Sequence, residues 1–169
     1  RFLLRMSGER PTPLEVLTSD GWKLTAWHRP ARPRRYLEPV VLCHGLANNH
    51  RVLEFQAPHG LASAIADAGF ECFTVDLRSA RRFGRGISVD DHIQRDVPAL
   101  IDFALAKTGA RQVFWVGHSL GGLVALGAAE PALQAKLKGL LTIGSPVYFR
   151  LRRHVPKLLV IGQALALFG

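Results

Sequence analysis

Acidic residues are scarce in this chain, and none occurs in residues 131–169. The 169 residues carry 22 Lys and Arg against 13 Asp and Glu, which gives a net charge of +9 at pH 7. Six of the basic residues lie in that acid-free segment. The arginine clusters of the chain lack the aromatic interleaving typical of surfaces that stack nucleic-acid bases. The sequence therefore predicts no nucleic-acid partner.

Cysteines are also few, and no apolar run is long. Cys43 and Cys72 lie at the end of one apolar run and the start of another. In parallel strands such ends are too far apart for a disulfide, which needs Cα atoms within about 7 Å. No run reaches the roughly 18 apolar residues that span a bilayer, and no secretory signal follows Arg1. The compartment stays open, with the cytoplasm slightly favoured, and the missing initiator methionine suggests that both ends are cut ends.

Strand and helix patterns alternate from residue 40 onward. Before them, two short strand-like runs, 14–18 and 22–28, flank the turn signal Ser19-Asp20-Gly21 and predict an antiparallel hairpin. The later apolar runs must be buried on both faces, so the predicted fold is α/β: a mostly parallel sheet with helices on both faces. The predicted later strands are 40–43, 70–75, 113–116 and 139–143, and the predicted helices are 58–68, 88–108 with an interruption at Pro98, and 120–129.

The motif that carries chemistry is Val-Gly-His-Ser-Leu-Gly-Gly at 116–122. Gly-x-Ser-x-Gly alone is a weak signal, but here an apolar strand enters it and a small-residue helix leaves it, as a nucleophile elbow requires. Such a turn would hold Ser119 in a strained conformation at the end of the strand, where parallel α/β sheets bind ligands. Gly117 and Gly121 would let neighbouring elements approach closely. Ser119 is the predicted catalytic nucleophile, and the alternative is a serine in a tight turn without chemistry.

Two backbone amides are predicted to form an oxyanion hole. The Leu120 N–H lies in the first turn of the outgoing helix, where unpaired donors and the helix dipole favour a developing anion. A second donor should come from the loop after an earlier strand. His44-Gly45-Leu46 occupies that place, with Gly45 supporting the loop and the Leu46 N–H as the predicted donor.

Three motifs, His44-Gly45, Asp76-Leu77-Arg78 and 117–122, together resemble the α/β-hydrolase fold superfamily in its serine esterase and lipase branch. The segments 18–22 and 44–49 are similar to acid-lipase-like members. The resemblance covers about residues 14–145. It implies the strand order of that fold, Ser119 as nucleophile and the Leu46 and Leu120 amides as oxyanion hole. Serine at this position distinguishes the chain from relatives that use Asp or Cys.

The chain departs from the family pattern in two places. After Asp76-Leu77-Arg78 the family usually continues with glycines, whereas this chain has Ser79-Ala80-Arg81-Arg82. The family's acid and histidine also follow the nucleophile, and after Ser119 the chain offers only Glu130 and His154. Glu130 lies roughly 16 Å along the helix, and the arginines around His154 disfavour the imidazolium that a base must form. Ser145 stands near the place where some lipases carry the acid. The triad is therefore expected to be incomplete.

The remaining histidines and carboxylates are expected to have structural roles. His118 is predicted to pack or hydrogen-bond at the elbow, His44 to fix its loop and Asp76 to tie down its own loop. No histidine or cysteine spacing suggests a metal site, and no cofactor is expected. The histidines without ligand-like spacing are His28, His50, His59 and His92. Asp90, Asp91 and Asp96 are expected in the first turn and on the solvated face of a helix.

These observations predict an α/β-hydrolase core in residues 1–145 that has strands one to six and lacks the last strands. The predicted function is hydrolysis of a carboxylic ester with a hydrophobic acyl group, through an acyl-enzyme on Ser119. As given, the chain would be inactive or nearly so, because an acid and a histidine are missing. Transfer of the acyl group to another acceptor stays open. The alternative is a truncated, non-catalytic α/β-hydrolase-like binding protein.

Two segments suggest partners besides a small-molecule ester. Residues 146–169 are predicted to begin a cap or lid, and the basic and apolar residues of 147–169 would suit either a lipid surface or an ordinary cap helix. The strand 139–143 would be an unprotected apolar edge. It is expected to need a missing C-terminal segment or to self-associate.

Overall fold

The structure, a computed structural model, describes residues 10–54, 59–80 and 86–147. These residues form one six-stranded sheet with helices packed against it. A 3-10 turn covers Arg78–Ala80, and a π-helical segment covers His92–Asp96. The strands are β1 (Thr12–Leu17), β2 (Lys23–Arg29), β3 (Val40–Cys43), β4 (Cys72–Asp76), β5 (Val113–His118) and β6 (Leu137–Ile143). The helices are α1 (Arg51–Glu54), α2 (Leu61–Ala68), α3 (Val89–Asp91), α4 (Val97–Thr108), α5 (Leu120–Gly127) and α6 (Pro131–Gln134).

The strand order is β1-β2-β4-β3-β5-β6. β1 and β2 form the predicted antiparallel hairpin, and β2 also runs antiparallel to β4. β4, β3, β5 and β6 are parallel to one another. The predicted fold class is confirmed: the sheet is mixed, mostly parallel, and begins with an antiparallel hairpin.

The two faces of the sheet are packed against different helices. Successive side chains of a strand point to opposite faces, and in β3 the buried Val41 and Cys43 belong to one core cluster while Val40 and Leu42 belong to another. The first cluster includes apolar residues of α4 and α5, and the second includes Ala62 of α2. This two-sided burial explains why β3 reads as a continuous apolar run.

Local signals in the sequence position several element ends. Gly21 adopts φ 79° in the turn between β1 and β2, and Gly69 adopts φ 109° after α2. Ser88 and Asp91 form the capping box before α3. Pro98 has no N–H to donate to the carbonyl four residues earlier, and the chain widens into the π-helical segment just before it. The predicted interruption near Pro98 is therefore a change from the π-helical segment His92–Asp96 to the α-helix Val97–Thr108.

Asp96 contradicts the expectation of a solvated helix face, because it is fully buried. Its carboxylate accepts hydrogen bonds from the backbone N–H of Arg78 at 3.2 Å and from the Arg78 Nε at 2.8 Å. The His92 Nδ1 lies 2.7 Å from the same carboxylate. Asp91 is partly buried and pairs with Arg95, so of the three aspartates only Asp90 is exposed. Asp96 is buried because a guanidinium and an imidazole satisfy its oxygens.

The Arg78 guanidinium also joins distant parts of the sheet. It pairs with Asp20, in the turn between β1 and β2, at 2.8 Å and lies 5.2 Å from the ring centroid of Trp22. Hydrogen bonds from Arg78 hold the pKa of Asp20 well below its usual value. Arg78 therefore fixes the turn after β4 to both the hairpin and the helix that carries Asp96.

Several other expectations can be compared with the described residues. Cys43 and Cys72 are buried free thiols, as predicted. The longest of the described helices spans 12 residues, and none of the described helices could cross a membrane. His154 and almost all of the predicted lid segment 146–169 lie outside the described residues. The lid and its contact with a lipid surface therefore stay predictions, as does the division of the chain at residue 145.

Replacing Asp96 with alanine should lower the free energy of unfolding by about 3–5 kcal/mol, because the buried guanidinium of Arg78 would lose its fully buried partner. Urea denaturation followed by circular dichroism measures this change. Asp102→Ala is the matched control: its carboxylate forms an exposed ion pair with Lys136, and its loss should change stability little. Equal losses in the two variants would contradict the role given to Asp96.

The outer edge of β6 predicts self-association. Among the described residues β6 pairs only with β5, and Leu141 and Ile143 are 57% and 43% exposed. An apolar edge strand with free N–H and C=O groups pairs readily with another chain. We expect concentration-dependent oligomers in sedimentation-velocity experiments. Leu141→Lys should reduce them, because a charge on an edge strand opposes pairing, whereas Leu17→Lys on the opposite edge should not. A monodisperse wild-type monomer at high concentration would contradict this prediction.

Candidate active site

Ser119 occupies a sharp turn between a strand and a helix. β5 ends at His118 and α5 begins at Leu120, and Ser119 between them adopts φ 50° and ψ −114°. In the described part of the chain, only Ser119 and Ala47 among non-glycine residues have a positive φ. Such a conformation costs about 1–3 kcal/mol, so the surrounding structure must hold it in place.

Backbone hydrogen bonds hold the turn from two sides. The Ser119 N–H donates to the Ile143 carbonyl at the end of β6, at 2.9 Å. The Ser119 carbonyl accepts from the N–H groups of Gly122 and Leu123 in α5, both at 3.2 Å. These bonds fix the Ser119 backbone to the sheet and to the helix at once.

The glycines of the motif lie where backbones approach closely. A Cβ on Gly121 would lie 2.5 Å from the Cys43 carbonyl oxygen and 2.6 Å from that of His44. A Cβ on Gly117 would overlap the backbone of Gly121. The first turn of α5 therefore packs directly against the ends of β3 and β5, which a side chain at either glycine would prevent.

The loop after β3 reaches Ser119 at Gly45. A Cβ on Gly45 would lie 3.1 Å from the Ser119 Cβ and 3.0 Å from the His118 Nδ1. The structure thus brings the predicted loop and the predicted nucleophile together. Leu46, whose amide is the predicted oxyanion donor, follows Gly45 directly and is 54% exposed. Its role as a donor stays a prediction.

His44 uses both ring nitrogens to fix this loop. Its Nδ1 donates to the Gly45 carbonyl at 2.7 Å, and its Nε2 accepts from the Leu77 N–H at 3.2 Å. The side chain is buried, and burial lowers the pKa of His44, so the ring is neutral at pH 7. Because both nitrogens are engaged, His44 does not act as a base for Ser119.

His118 lies on the face of β5 opposite Gly117, beside Gly45. Its Nδ1 is buried and has no hydrogen-bond partner among the residues described. The hydrogen-bonding role expected for His118 is therefore not seen in this geometry, and its contact with Gly45 is one of packing.

A base and an acid for Ser119 are not assembled in the described part of the chain. No described histidine hydrogen-bonds to the Ser119 hydroxyl, and Glu130 is exposed at the start of α6. Ser145, after β6, places a buried hydroxyl with no described partner against the Gly122 backbone. Within residues 10–54, 59–80 and 86–147, no group of His, Cys, Asp or Glu could hold a metal ion.

The sequence did not indicate that His50 is a partner of Asp76. His50 lies at the far end of the loop that begins at His44 and contacts Asp76 through both its backbone N–H and its Nδ1. Asp76 was expected to tie down its own loop, the one after β4, whereas these contacts hold the loop after β3. No spacing in the sequence could indicate the pair, because 26 residues separate its members.

A strained serine between a buried parallel strand and a helix, beside a glycine loop from the neighbouring strand, is the geometry of a nucleophile elbow on an α/β sheet. Comparison with known proteins agrees: the model of the alpha/beta hydrolase fold family matches residues 38–160. The chain therefore belongs to the α/β hydrolase fold family.

Its relatives in sequence include lipases, and its fold is similar to that of an esterase. It is 38% identical over 136 residues to a tear acid lipase-like protein from Mesocricetus auratus, covering 68% of this chain and 33% of that protein. It is 31% identical over 145 residues to human gastric triacylglycerol lipase, covering 73% of this chain and 36% of the lipase. An esterase from Pyrococcus furiosus superimposes with a TM-score of 0.65 at 18% identity, over 92% of this chain and 61% of the esterase. The chain is thus lipase- or esterase-like and spans about a third of these lipases.

Gly121→Ala should lower the free energy of unfolding by about 1–3 kcal/mol, because its Cβ would press on two rigid backbone carbonyls. Gly127→Ala in the same helix is the matched control. Its Cβ would meet mainly the Ile93 side chain, with the Cδ1 2.7 Å away, and alanine favours the helix. Chemical denaturation compares the two variants. A Gly121→Ala protein as stable as Gly127→Ala would contradict the close packing described at β3.

Proposed function

We propose that this chain forms the nucleophile-bearing part of a serine hydrolase that cleaves carboxylic esters with a hydrophobic acyl group. The observation that carries the proposal is the strained Ser119 backbone, with φ 50° and ψ −114°, held directly beside Gly45. The similarity to lipases and esterases supports an ester as substrate. The triacylglycerol lipases among those relatives support a hydrophobic acyl group.

In the proposed mechanism, the Ser119 Oγ attacks the ester carbonyl carbon and gives up its proton to a base. The carbonyl oxygen becomes an oxyanion that accepts hydrogen bonds from the Leu46 and Leu120 amides. The Leu120 N–H suits this role because the first N–H groups of a helix have no partner within the helix. Collapse of the tetrahedral intermediate releases the alcohol and leaves an acyl-enzyme on Ser119. Water then hydrolyses this ester and restores the serine.

The base and the acid of this mechanism are proposed to come from outside the described residues. A serine hydroxyl is a weak nucleophile at neutral pH without a base. Within the described residues the Ser119 hydroxyl has no histidine partner, and the only later carboxylate, Glu130, lies at the start of α6 beyond the far end of α5. The only later histidine in the chain, His154, lies among arginines that disfavour the imidazolium a base must form, so we propose that the chain by itself has only residual esterase activity.

The first test measures hydrolysis of p-nitrophenyl butyrate by this chain. The expected rate is lower than that of intact serine hydrolases by on the order of 10⁴–10⁶, the loss seen when triad members are removed. Because a serine without a base contributes little to the remaining rate, Ser119→Ala should lower that rate only slightly. Ser63→Ala, which removes a buried hydroxyl in α2, should not change it. A wild-type turnover of about 1 s⁻¹ or more, dependent on Ser119, would contradict the proposed incompleteness.

The same proteins can be incubated with a fluorophosphonate and analysed by intact-mass and peptide mass spectrometry. This reagent traps an activated serine as a covalent adduct. We expect a slow adduct on Ser119 in the wild type and in Ser63→Ala. Absence of any adduct at Ser119 would contradict its role as nucleophile.

A second candidate function is binding of a hydrophobic ligand without catalysis. The observation that favours it is the lack of any described histidine bonded to the Ser119 hydroxyl. In that case Ser119→Ala would bind a fluorescent fatty-acid analogue as tightly as the wild type, and neither protein would form a phosphonate adduct.

A further inference from the structure

The loop from His44 to His50, called here the oxyanion loop, is anchored at both of its ends. At the near end the His44 ring bonds the Leu77 N–H. At the far end His50 contacts the carboxylate of Asp76, the last residue of β4. Between these anchors the loop contains Ala47, one of the two non-glycine residues described with a positive φ, at 59°.

The far anchor is built from three hydrogen bonds to one carboxylate. The His50 backbone N–H donates to the Asp76 Oδ1 at 2.7 Å, and the His50 Nδ1 lies 3.0 Å from the Oδ2. The Trp27 Nε1 donates to the same Oδ2 at 3.0 Å. The rings of Trp27 and His50 also stack, with centroids 4.0 Å apart. Trp27 in β2 thus contacts both members of the anchor, Asp76 and His50.

The carboxylate of Asp76 is ionised in this arrangement. Burial acts to raise the pKa of Asp76, but the hydrogen bonds from His50 and Trp27 outweigh burial and hold the pKa below its usual value. A charged acceptor makes these bonds about twice as strong as neutral ones. Because its oxygens are engaged by His50 and Trp27, Asp76 contacts no reacting group.

We propose that Asp76 is a positioning residue for catalysis, which fixes the Leu46 amide by holding the far end of the oxyanion loop through His50 and Trp27. This inference rests on the proposed function, in which the Leu46 amide binds the oxyanion. Preorganised donors stabilise a transition state only if they are held before the reaction. The strained Ala47 requires such an anchor, because a loop released at one end would relax to a negative φ.

Hydrogen–deuterium exchange with mass spectrometry tests the anchor at micromolar concentration and without substrate. In Asp76→Asn, amides in a peptide covering residues 45–49 should exchange at least about tenfold faster than in the wild type. Peptides from β3 and β5 should be unchanged. Asp102→Asn, which alters an exposed carboxylate, should leave both regions unchanged. Unchanged exchange in the oxyanion loop, or an equal rise throughout the sheet, would overturn the proposal.

Trp27→Phe provides a milder second variant in case Asp76→Asn folds poorly. It keeps an aromatic ring against His50 but removes the Nε1–H donor, so a smaller increase confined to the same loop is expected. Tryptophan emission gives an independent signature. The contribution of Trp27, obtained by subtracting the Trp27→Phe spectrum, should change when Asp76→Asn disturbs the stacked pair. No loop-specific change in Trp27→Phe together with unaltered Trp27 emission would also overturn the proposal.

Phosphonate labelling separates this inference from the proposed function. If both are right, Asp76→Asn should label Ser119 at least about tenfold more slowly than Asp102→Asn. If no variant labels Ser119 but the oxyanion loop responds in exchange, the proposed function is wrong while the anchor stands. Equal labelling rates with a loosened loop would show that Asp76 does not position the reactive site.

Discussion

Close backbone contact between the start of α5 and the end of β3 is the constraint on which this site depends. Gly121 lies so near the carbonyls of Cys43 and His44 that no side chain fits between them. This contact places the first turn of α5 beside the loop that leaves β3. Ser119 and Gly45 therefore meet because β3 and β5 end, and α5 begins, at the same point.

Features set by neighbouring residues could be predicted from the sequence, whereas features set by distant pairs could not. Continuous apolar runs predicted β3 and β5, and the glycine and proline positions predicted where helices end or change type. Asp96 was misplaced because its local pattern, an acidic residue near a helix start, is typical of a solvated face. Its burial depends on Arg78, which is distant in sequence, and no local pattern indicates that pairing.

The candidate site likewise contains one part that the sequence predicts and one part that it does not. Ser119 and its glycines could be identified because a strained turn restricts which residues can occupy it, and that restriction is visible in a short motif. The anchor at Asp76 could not be identified, because Trp27 and His50 belong to separate elements and meet only after β2 pairs with β4. Backbone constraints leave a local signature in the sequence, but side-chain partnerships formed by sheet pairing do not.

The two non-glycine residues described with a positive φ lie in the two segments that meet at Gly45: Ser119 in the turn before α5, and Ala47 in the oxyanion loop. Ser119 is held by backbone bonds to β6 and α5, and Ala47 lies in a loop fixed by a neutral His44 and by the Asp76 carboxylate. Each strained conformation is unfavourable by itself, so the surrounding bonds must offset it. None of these hydrogen bonds involves the Ser119 hydroxyl. We propose that this strain orients the Leu46 and Leu120 N–H groups before a ligand arrives, the arrangement that stabilises a developing oxyanion most effectively.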